Sequence, residues 1–504
     1  MILAGLLLLW AAPAQAARFT LVEVRPAAVP FLRLTGAEEL SPSIGLWRVP
    51  ASAVSRLRKA RLLRLAAPDR RLEPARAAAD PDPLLQNEWW LADVGATQVA
   101  PPGPGVPVVV IDTGVDFSHP EFAGRPDTAG LNPQSVVDTS TDFHGTAVAS
   151  VIAAPANGVG MVGVYPQAAL QAYDADLSGR LTEGELIQGI ETAAQQGRAV
   201  INLSLGGSQF DPVLQDVVFS AFRRGALIVA ASGNAGNRGN PLSFPASLAH
   251  VLTVGATDST DQSAPFSSSS AAVDLAAPGV GITTAVPLSY DSTGYKLQDG
   301  TSFAAPIVSG AAAWVWTARG DLDNKQVFDL LRFSARDIGT PGFDPYTGFG
   351  LLDVANALAR EAPPRDAQEP DDDVRLINPG GLFALGTPAL TTRTKAKASL
   401  RATIDVTEDP VDVYRVWVPA GRTVTVSARS VSGLRIRVWK PVTRTVTESG
   451  VAAKRDLATS NTRPVSVRNA SKRGAYYYAD VRLVKGVANG TYSLSVATSA
   501  RAKR

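Results

Sequence analysis

The 504-residue sequence predicts an α/β protein, with a doubly wound, mostly parallel sheet, a small α+β segment before it and an all-β sandwich after it. Three observations carry this prediction. Runs at 106–111, 199–203, 226–230 and 251–254 are apolar throughout, as suits strands of a parallel sheet covered on both faces. Helical stretches such as 183–196 fall between them, and strand–helix alternation builds doubly wound sheets. Beyond residue 375 that texture stops: Leu434, Ile436 and Val438 alternate with Arg435 and Arg437, and Tyr492, Leu494 and Val496 with Ser493 and Ser495. Such alternation reads as half-buried antiparallel strands of a small sandwich.

In chain order, the apolar run Ile2 to Trp10 followed by Ala11-Ala12-Pro13-Ala14-Gln15-Ala16 reads as a secretory signal over 1–16 with an A-x-A-like cleavage site. Residues 17–80 are rich in Ala, Arg and Leu and read as short strands at 19–24 and 46–49 around a helix at 51–58. A unit of that size is marginal alone. Residues 81–360 hold the α/β pattern, 361–375 are Pro-containing and acidic and read as a linker, and 376–504 form the sandwich.

Composition narrows the function classes. A formal net charge of +2 demands no nucleic-acid partner. The absence of cysteine rules out disulfides, thiolate metal sites and cysteine nucleophiles. No stretch after the signal reaches the ~18 apolar residues of a membrane span, so the mature chain is expected to carry none and to be secreted.

Three motifs carry chemistry. Asp112-Thr113-Gly114-Val115-Asp116 directly follows the 106–111 strand, and a carboxylate at the end of a central strand points into the crevice where such sheets bind ligands. Taken alone, Asp112 reads as a turn or cap residue. His144-Gly145-Thr146-Ala147-Val148-Ala149-Ser150 opens an apolar helix. Among three histidines, His144 is the candidate base; His119 precedes Pro120 in a turn and His250 leads into a strand. Gly300-Thr301-Ser302-Phe303-Ala304-Ala305-Pro306 opens another helix. Ser302 alone reads as an N-cap, yet its small neighbours leave room for substrate, and a helix N-terminus suits an oxyanion. Asn234, in Ala231-Ser232-Gly233-Asn234 after the 226–230 strand, can offer a side-chain amide to the same oxyanion.

The order Asp, His, Ser is one of the chain orders known for a catalytic triad, and Ser302 lies outside a G-x-S-x-G elbow, which argues against an α/β-hydrolase. Together with Ser204-Leu205-Gly206-Gly207, these motifs make the chain resemble the subtilisin-like serine proteases, from about Asp82 to Leu358. The resemblance implies that Ser302 is the nucleophile, His144 the general base and Asp112 its orienting partner, with Asn234 and the Ser302 amide as oxyanion hole. It implies that Ser204, Leu205 and Gly206 pair with substrate main chain, and that Ala231, Ser232 and Gly233 wall the pocket for the side chain before the cut. The family commonly has His where Ala147 stands and Gly where Ser150 stands, a matter of local packing.

The resemblance further implies a structural calcium ion held by Asp82, Glu121 and Asn157, with carbonyls near Val159 and Met161; no catalytic cofactor is implied. Residues 17–80 resemble the inhibitory propeptide of the family, cut between about Leu72 and Pro83. The tail resembles the pre-peptidase C-terminal sandwich, through Asp409-Pro410-Val411-Asp412-Val413-Tyr414 and Gly490-Thr491-Tyr492. The expected partners are protein or peptide substrates and the propeptide, and the expected state is a monomer. Two other readings stand beside this one: an inactive homologue that binds or adheres through its sandwich, and a dedicated maturation protease of a secretion system.

Overall fold

In the computed structural model the described residues run from 19 to 499, apart from 34–36, 69–81, 138–141, 177–178, 367, 372–382, 384–386, 407, 431–432, 447–455, 462 and 488. The expected signal at 1–16 and most of the expected cleavage region lie outside them. The chain divides into two compact units, Met1–Ala79 and Asp80–Arg504.

The first unit is a four-stranded antiparallel sheet in the spatial order Glu38–Ser41, Leu46–Pro50, Phe19–Val24, Leu63–Pro68. The helix Ala51–Lys59 lays Ala53 and Leu57 on Val22, Val24, Trp47 and Val49. These few buried residues make a small core, in keeping with the marginal stability expected of a short segment.

The second unit is built on a seven-stranded parallel sheet. Its elements are β1 (Val108–Asp112), β2 (Thr128–Gly130), α1 (His144–Ala153), β3 (Leu170–Asp174), α2 (Glu183–Ala194), β4 (Val200–Leu203), α3 (Pro212–Arg223), β5 (Leu227–Ala231), β6 (Val251–Thr257) and β7 (Leu275–Pro278). A short antiparallel pair, β8 (Ile282–Ala285) and β9 (Tyr295–Gln298), leads into α4 (Thr301–Ala318) and α5 (Asn324–Ser334). The sheet order is β7-β6-β5-β4-β1-β3-β2.

Each face of this sheet has its own core, which is why the strands are apolar without alternation. In β1, Val108 and Val110 belong to the cluster that contains α1 and α4, whereas Val109 and Ile111 belong to the cluster with α2 and α3. The winding direction reverses at β1, whose neighbours are β3 on one side and β4 on the other. The C-terminal end of β1 is therefore the crevice in which this architecture gathers its functional groups.

The tail forms two four-stranded antiparallel sheets. Its strands are β10 (Lys397–Asp405), β11 (Asp412–Val418), β12 (Thr423–Ser430), β13 (Leu434–Trp439), β14 (Asp456–Ser460), β15 (Val465–Arg468), β16 (Ala475–Leu483) and β17 (Asn489–Thr498). The sheets run β10-β17-β12-β15 and β11-β16-β13-β14, around a core of Val416, Val424, Val426, Val438, Leu494 and their neighbours.

The sandwich is bonded to the α/β part through buried charge. Arg332 of α5 is fully buried; its Nη2 reaches Asp329 at 2.6 Å and Asp405 of β10 at 2.7 Å, and its Nη1 reaches Asp274 at 3.2 Å. Phe328, Phe333 and Phe349 ring the guanidinium. Nearby, Glu408 accepts the backbone N–H of His250 at 2.6 Å. The 361–375 stretch, solvated by composition, contains the buried Asp366 and Asp371.

Candidate functional site

Asp112 ends β1 and is 1% exposed. Its Oδ1 accepts the His144 Nδ1–H at 2.8 Å and the Thr113 N–H at 2.9 Å. His144 is the first residue of α1, and the rest of both motifs holds this pair in place. Gly114 sits at φ 91°, and a Cβ on Gly145 would collide with the Gly114 carbonyl, so the turn and the helix approach as only glycines allow. Thr113 Oγ1 accepts the Gly145 N–H at 3.0 Å, and Thr146 Oγ1 accepts the Asp116 N–H at 2.8 Å. The motif residues thus tie loop to helix, leaving the outer part of the imidazole, 30% exposed, toward the crevice.

The ring of His144 packs against Phe303, centroids 5.7 Å apart, which places it beside the residue that follows Ser302. The cap of α4 is Gly300, at φ 154°, so Ser302 is not the N-cap that it resembles in isolation: it is the second helical residue. Pro306 lies inside the same helix. A proline has no N–H for the carbonyl four residues earlier, here that of Ser302. Ser204, just past β4, supplies the missing donor: its Oγ bonds the Ser302 carbonyl at 2.8 Å, and Ser302 Oγ donates back to the Ser204 carbonyl at 3.2 Å. Behind Ser204 runs a buried chain in which Asn202 Nδ2 donates to Ser204 Oγ at 3.0 Å and Ser309 Oγ donates to Asn202 Oδ1 at 2.8 Å.

Asn234 follows β5. Its Oδ1 accepts both the backbone N–H and the hydroxyl of Thr301, each at 2.9 Å. With the carbonyl end committed, the amide nitrogen faces Gly300, where a Cβ would stand 3.3 Å from it. Gly233, at φ 106°, donates to Thr301 Oγ1 at 3.2 Å, while Ala231 and Ser232 are buried beside it. Asp112, His144, Ser302, Asn234, Ser204 and Gly233 are thereby drawn to one place from five segments of chain.

Beyond Leu205 and Gly206 lies a cavity of about 230 Å³, with Leu186, Leu214 and Phe244 in its lining and Glu183 among its polar residues. Gly207 and Phe244 pair as an antiparallel bridge along its edge. Near Thr113 and Asp112, burial and the neighbouring Asp176 push Asp142 up to about 6.

Of the expected calcium ligands, Asn157 turns its Oδ1 to the Val159 N–H at 2.9 Å. Asp82 Oδ1 accepts the N–H groups of Asn157 and Gly158, both at 3.1 Å, and Glu121 Oε1 accepts the Met161 N–H at 2.8 Å and the Tyr295 hydroxyl at 2.8 Å. Glu121 Oε2 is buried with no hydrogen-bond partner among the described residues. Glu88, which the sequence did not single out, joins them. Burial and the charges of Glu121 and Asp82 raise its carboxyl to about 8, against the Val162 N–H that lowers it, and burial raises Glu121 to about 7.

The other two histidines are structural in their contacts. His119 sits in a turn and bonds the Gly294 carbonyl at 3.1 Å, while His250 stacks on Phe222 at 4.5 Å. Ser150 donates to the Ala147 carbonyl at 2.7 Å and accepts the Ala285 N–H at 2.9 Å, so it fastens α1 to β8. Asn202 and Ser309 carried no sequence signal, because an Asn within an apolar strand and a Ser within a small-residue helix acquire a role only when the two elements are packed together.

Residues 103–350 match the Subtilase family model. Subtilisin E of Bacillus subtilis (strain 168) is 34% identical over 296 residues, covering 56% of this chain and 76% of that protein. Subtilisin Savinase of Lederbergia lenta is 38% identical over 256 residues, covering 51% and 91%. Among solved structures, a lanthipeptide protease aligns over 56% of this chain and 99% of its own, at 25% identity and a TM-score of 0.49.

Proposed function

The chain belongs to the subtilase family of serine peptidases, and on that premise we propose that it is a secreted endopeptidase, made as a zymogen, that cuts proteins with Asp112, His144 and Ser302. The observation that carries the proposal is the part-buried Asp112–His144 hydrogen bond beside the first turn of α4.

In this mechanism Ser302 Oγ leaves the Ser204 carbonyl, passes its proton to His144 Nε2 and bonds to the scissile carbonyl carbon. Asp112 keeps the Nδ1 proton facing itself and stabilises the imidazolium that forms. The carbonyl oxygen becomes an oxyanion, received by Asn234 Nδ2 and the Ser302 N–H. Breaking the C–N bond releases the amine, which takes the proton from His144. Water, deprotonated by the same imidazole, then attacks the acyl ester and restores Ser302. Ser204, Leu205 and Gly206 hold the peptide by main-chain pairing, and Ala231, Ser232 and Gly233 wall the pocket beside the scissile bond.

Kinetics on a protein substrate such as casein test this reading. In a subtilisin, loss of the Ser or His costs about 10⁶ in kcat and loss of the Asp about 10⁴. Ser302→Ala, His144→Ala and Asp112→Asn are expected to follow that order. Variants as active as the parent would sink the assignment.

Around this centre we place the remaining parts. Residues 1–16 direct export and are removed, residues 17–80 act as the chain's own inhibitor, and the mature enzyme works as a monomer. A calcium ion would be held by Asp82, Glu121 and Asn157, and it would join loops that are distant in sequence. Glu121 Oε2, buried without a hydrogen-bond partner among the described residues, is the observation that supports a hard cation with oxygen ligands there. Chelation should lower the Tm of the parent, and Asp82→Asn should remove part of that drop.

A further inference from the structure

A second concentration of buried carboxylates lies where the α/β part meets the sandwich, away from the catalytic residues. Pro363 bonds α5 through Gln326, at 2.8 Å, and the chain then runs to Asp371, whose carbonyl accepts the Val413 N–H of β11 at 2.9 Å. Along this path stand Asp366, Glu369 and Asp371, facing Asp409 and Asp412. Glu369, Asp371 and Asp412 bring one carboxylate oxygen each within 4.8 Å of one another. Asp371, Asp409 and Asp412 are all 0% exposed.

Two of these acids, Asp371 and Asp412, carry no ion pair among the described residues. Both oxygens of Asp371 and Oδ1 of Asp412 are buried without a hydrogen-bond donor among the described residues. The nearby hydroxyls of Tyr414 and Tyr492 both reach Asp412 Oδ2, and they lie 2.6 Å from each other. The cation that faces the group is Lys325, whose Nζ lies 3.5 Å from Asp409 and 3.2 Å from Asp329, so it is shared. A buried carboxylate with neither donor nor cation is strongly unfavourable. Burial holds Asp371 and Asp412 well above the usual carboxylate range, with the neighbouring acids adding to it and, at Asp371, the Tyr414 hydroxyl and Lys325 opposing it.

We propose that Glu369, Asp371 and Asp412 bind a divalent cation of the calcium class, separate from the Asp82 site, which fastens the 363–371 segment to the sandwich. Calcium–oxygen distances of about 2.3–2.6 Å place opposite ligands up to about 5 Å apart, and the 4.8 Å spread fits one ion between them. The donors are all oxygens, with no imidazole or thiolate among them, which favours calcium over zinc. Asp409 borders the site and keeps its link to Lys325.

The test uses the full chain carrying Ser302→Ala, so that it does not digest itself, stripped with EDTA and titrated with Ca²⁺ by calorimetry. Adding Asp371→Asn or Asp412→Asn should remove one Ca²⁺ equivalent or weaken it at least tenfold, whereas Asp82→Asn should leave that equivalent in place. Unchanged stoichiometry and affinity in both junction variants would overturn the site. A second measurement needs no further substitution: crystals of the Ser302→Ala chain grown with Tb³⁺ should show an anomalous peak between Glu369, Asp371 and Asp412. A map without that peak overturns the proposal as well.

Discussion

The Ser302 carbonyl accepts the Ser204 hydroxyl at 2.8 Å in a helix whose Pro306, one turn later, has no N–H to give it. The substrate-side segment and the serine helix are therefore joined by a bond that exists because of a proline. Removing the hydroxyl leaves a carbonyl without its donor, a loss worth about 1–3 kcal/mol. Ser204→Ala should lower stability by that amount and reduce kcat. Pro306→Ala restores an N–H at the right position, so the double variant should recover part of the loss. A double-mutant cycle by chemical denaturation checks it; simple additivity of the two changes would reject the link.

Asn234 commits its Oδ1 to Thr301, which leaves its amide as the free end toward Gly300. Loss of one oxyanion donor in a subtilisin costs about 10²–10³ in kcat, and Asn234→Ala is expected to fall in that range with KM nearly unchanged. Because the substitution also strips an acceptor from Thr301, Tm is measured beside the kinetics. A kcat within threefold of the parent would contradict the role.

Arg332 joins Asp274, Asp329 and Asp405 with no exposure to water. Breaking a buried pair by removing one partner costs about 3–5 kcal/mol, so Arg332→Met should destabilise the whole α/β-sandwich unit by that order. Arg332 draws the Asp405 carboxyl below the usual range, overcoming the burial that opposes it. As pH falls, the unfolded chain protonates Asp405 near its ordinary 3.8, whereas the folded chain holds out to lower pH. The stability gap between parent and Asp405→Asn should thus be full at neutral pH and close below about pH 4. A gap that widens on acidification would contradict the linkage.

The proposed zymogen makes a prediction about chain ends. Secreted wild-type protein should begin between about Leu72 and Pro83, while Ser302→Ala protein should retain the segment from Ala17. N-terminal sequencing of both distinguishes them, and fully active wild type beginning at Ala17 would overturn the propeptide assignment.

Much of this site was legible in the sequence, and the parts that were not share one cause. The apolar runs announced the strands of a doubly covered sheet, displaced by a residue or two, as in β1 at Val108–Asp112 instead of 106–111. Asp112, His144, Asn234 and Ser302 stood out through their motifs, although Ser302 alone resembled a cap that Gly300 provides. Asn202 and Ser309 were silent because their bond spans β4 and α4. Composition treated the acids of 361–375 as solvated, while tertiary packing buries Asp366 and Asp371. Sequence pattern reports what each element does alone; polar groups that are paired only by packing leave no period to read.

The most direct test of the central claim is labelling by a fluorophosphonate probe, followed by mass mapping of the modified peptide. The account predicts one adduct, on Ser302 of the mature protein, lost in Ser302→Ala and strongly slowed in His144→Ala. An unlabelled mature protein, or an adduct on another serine, would contradict it.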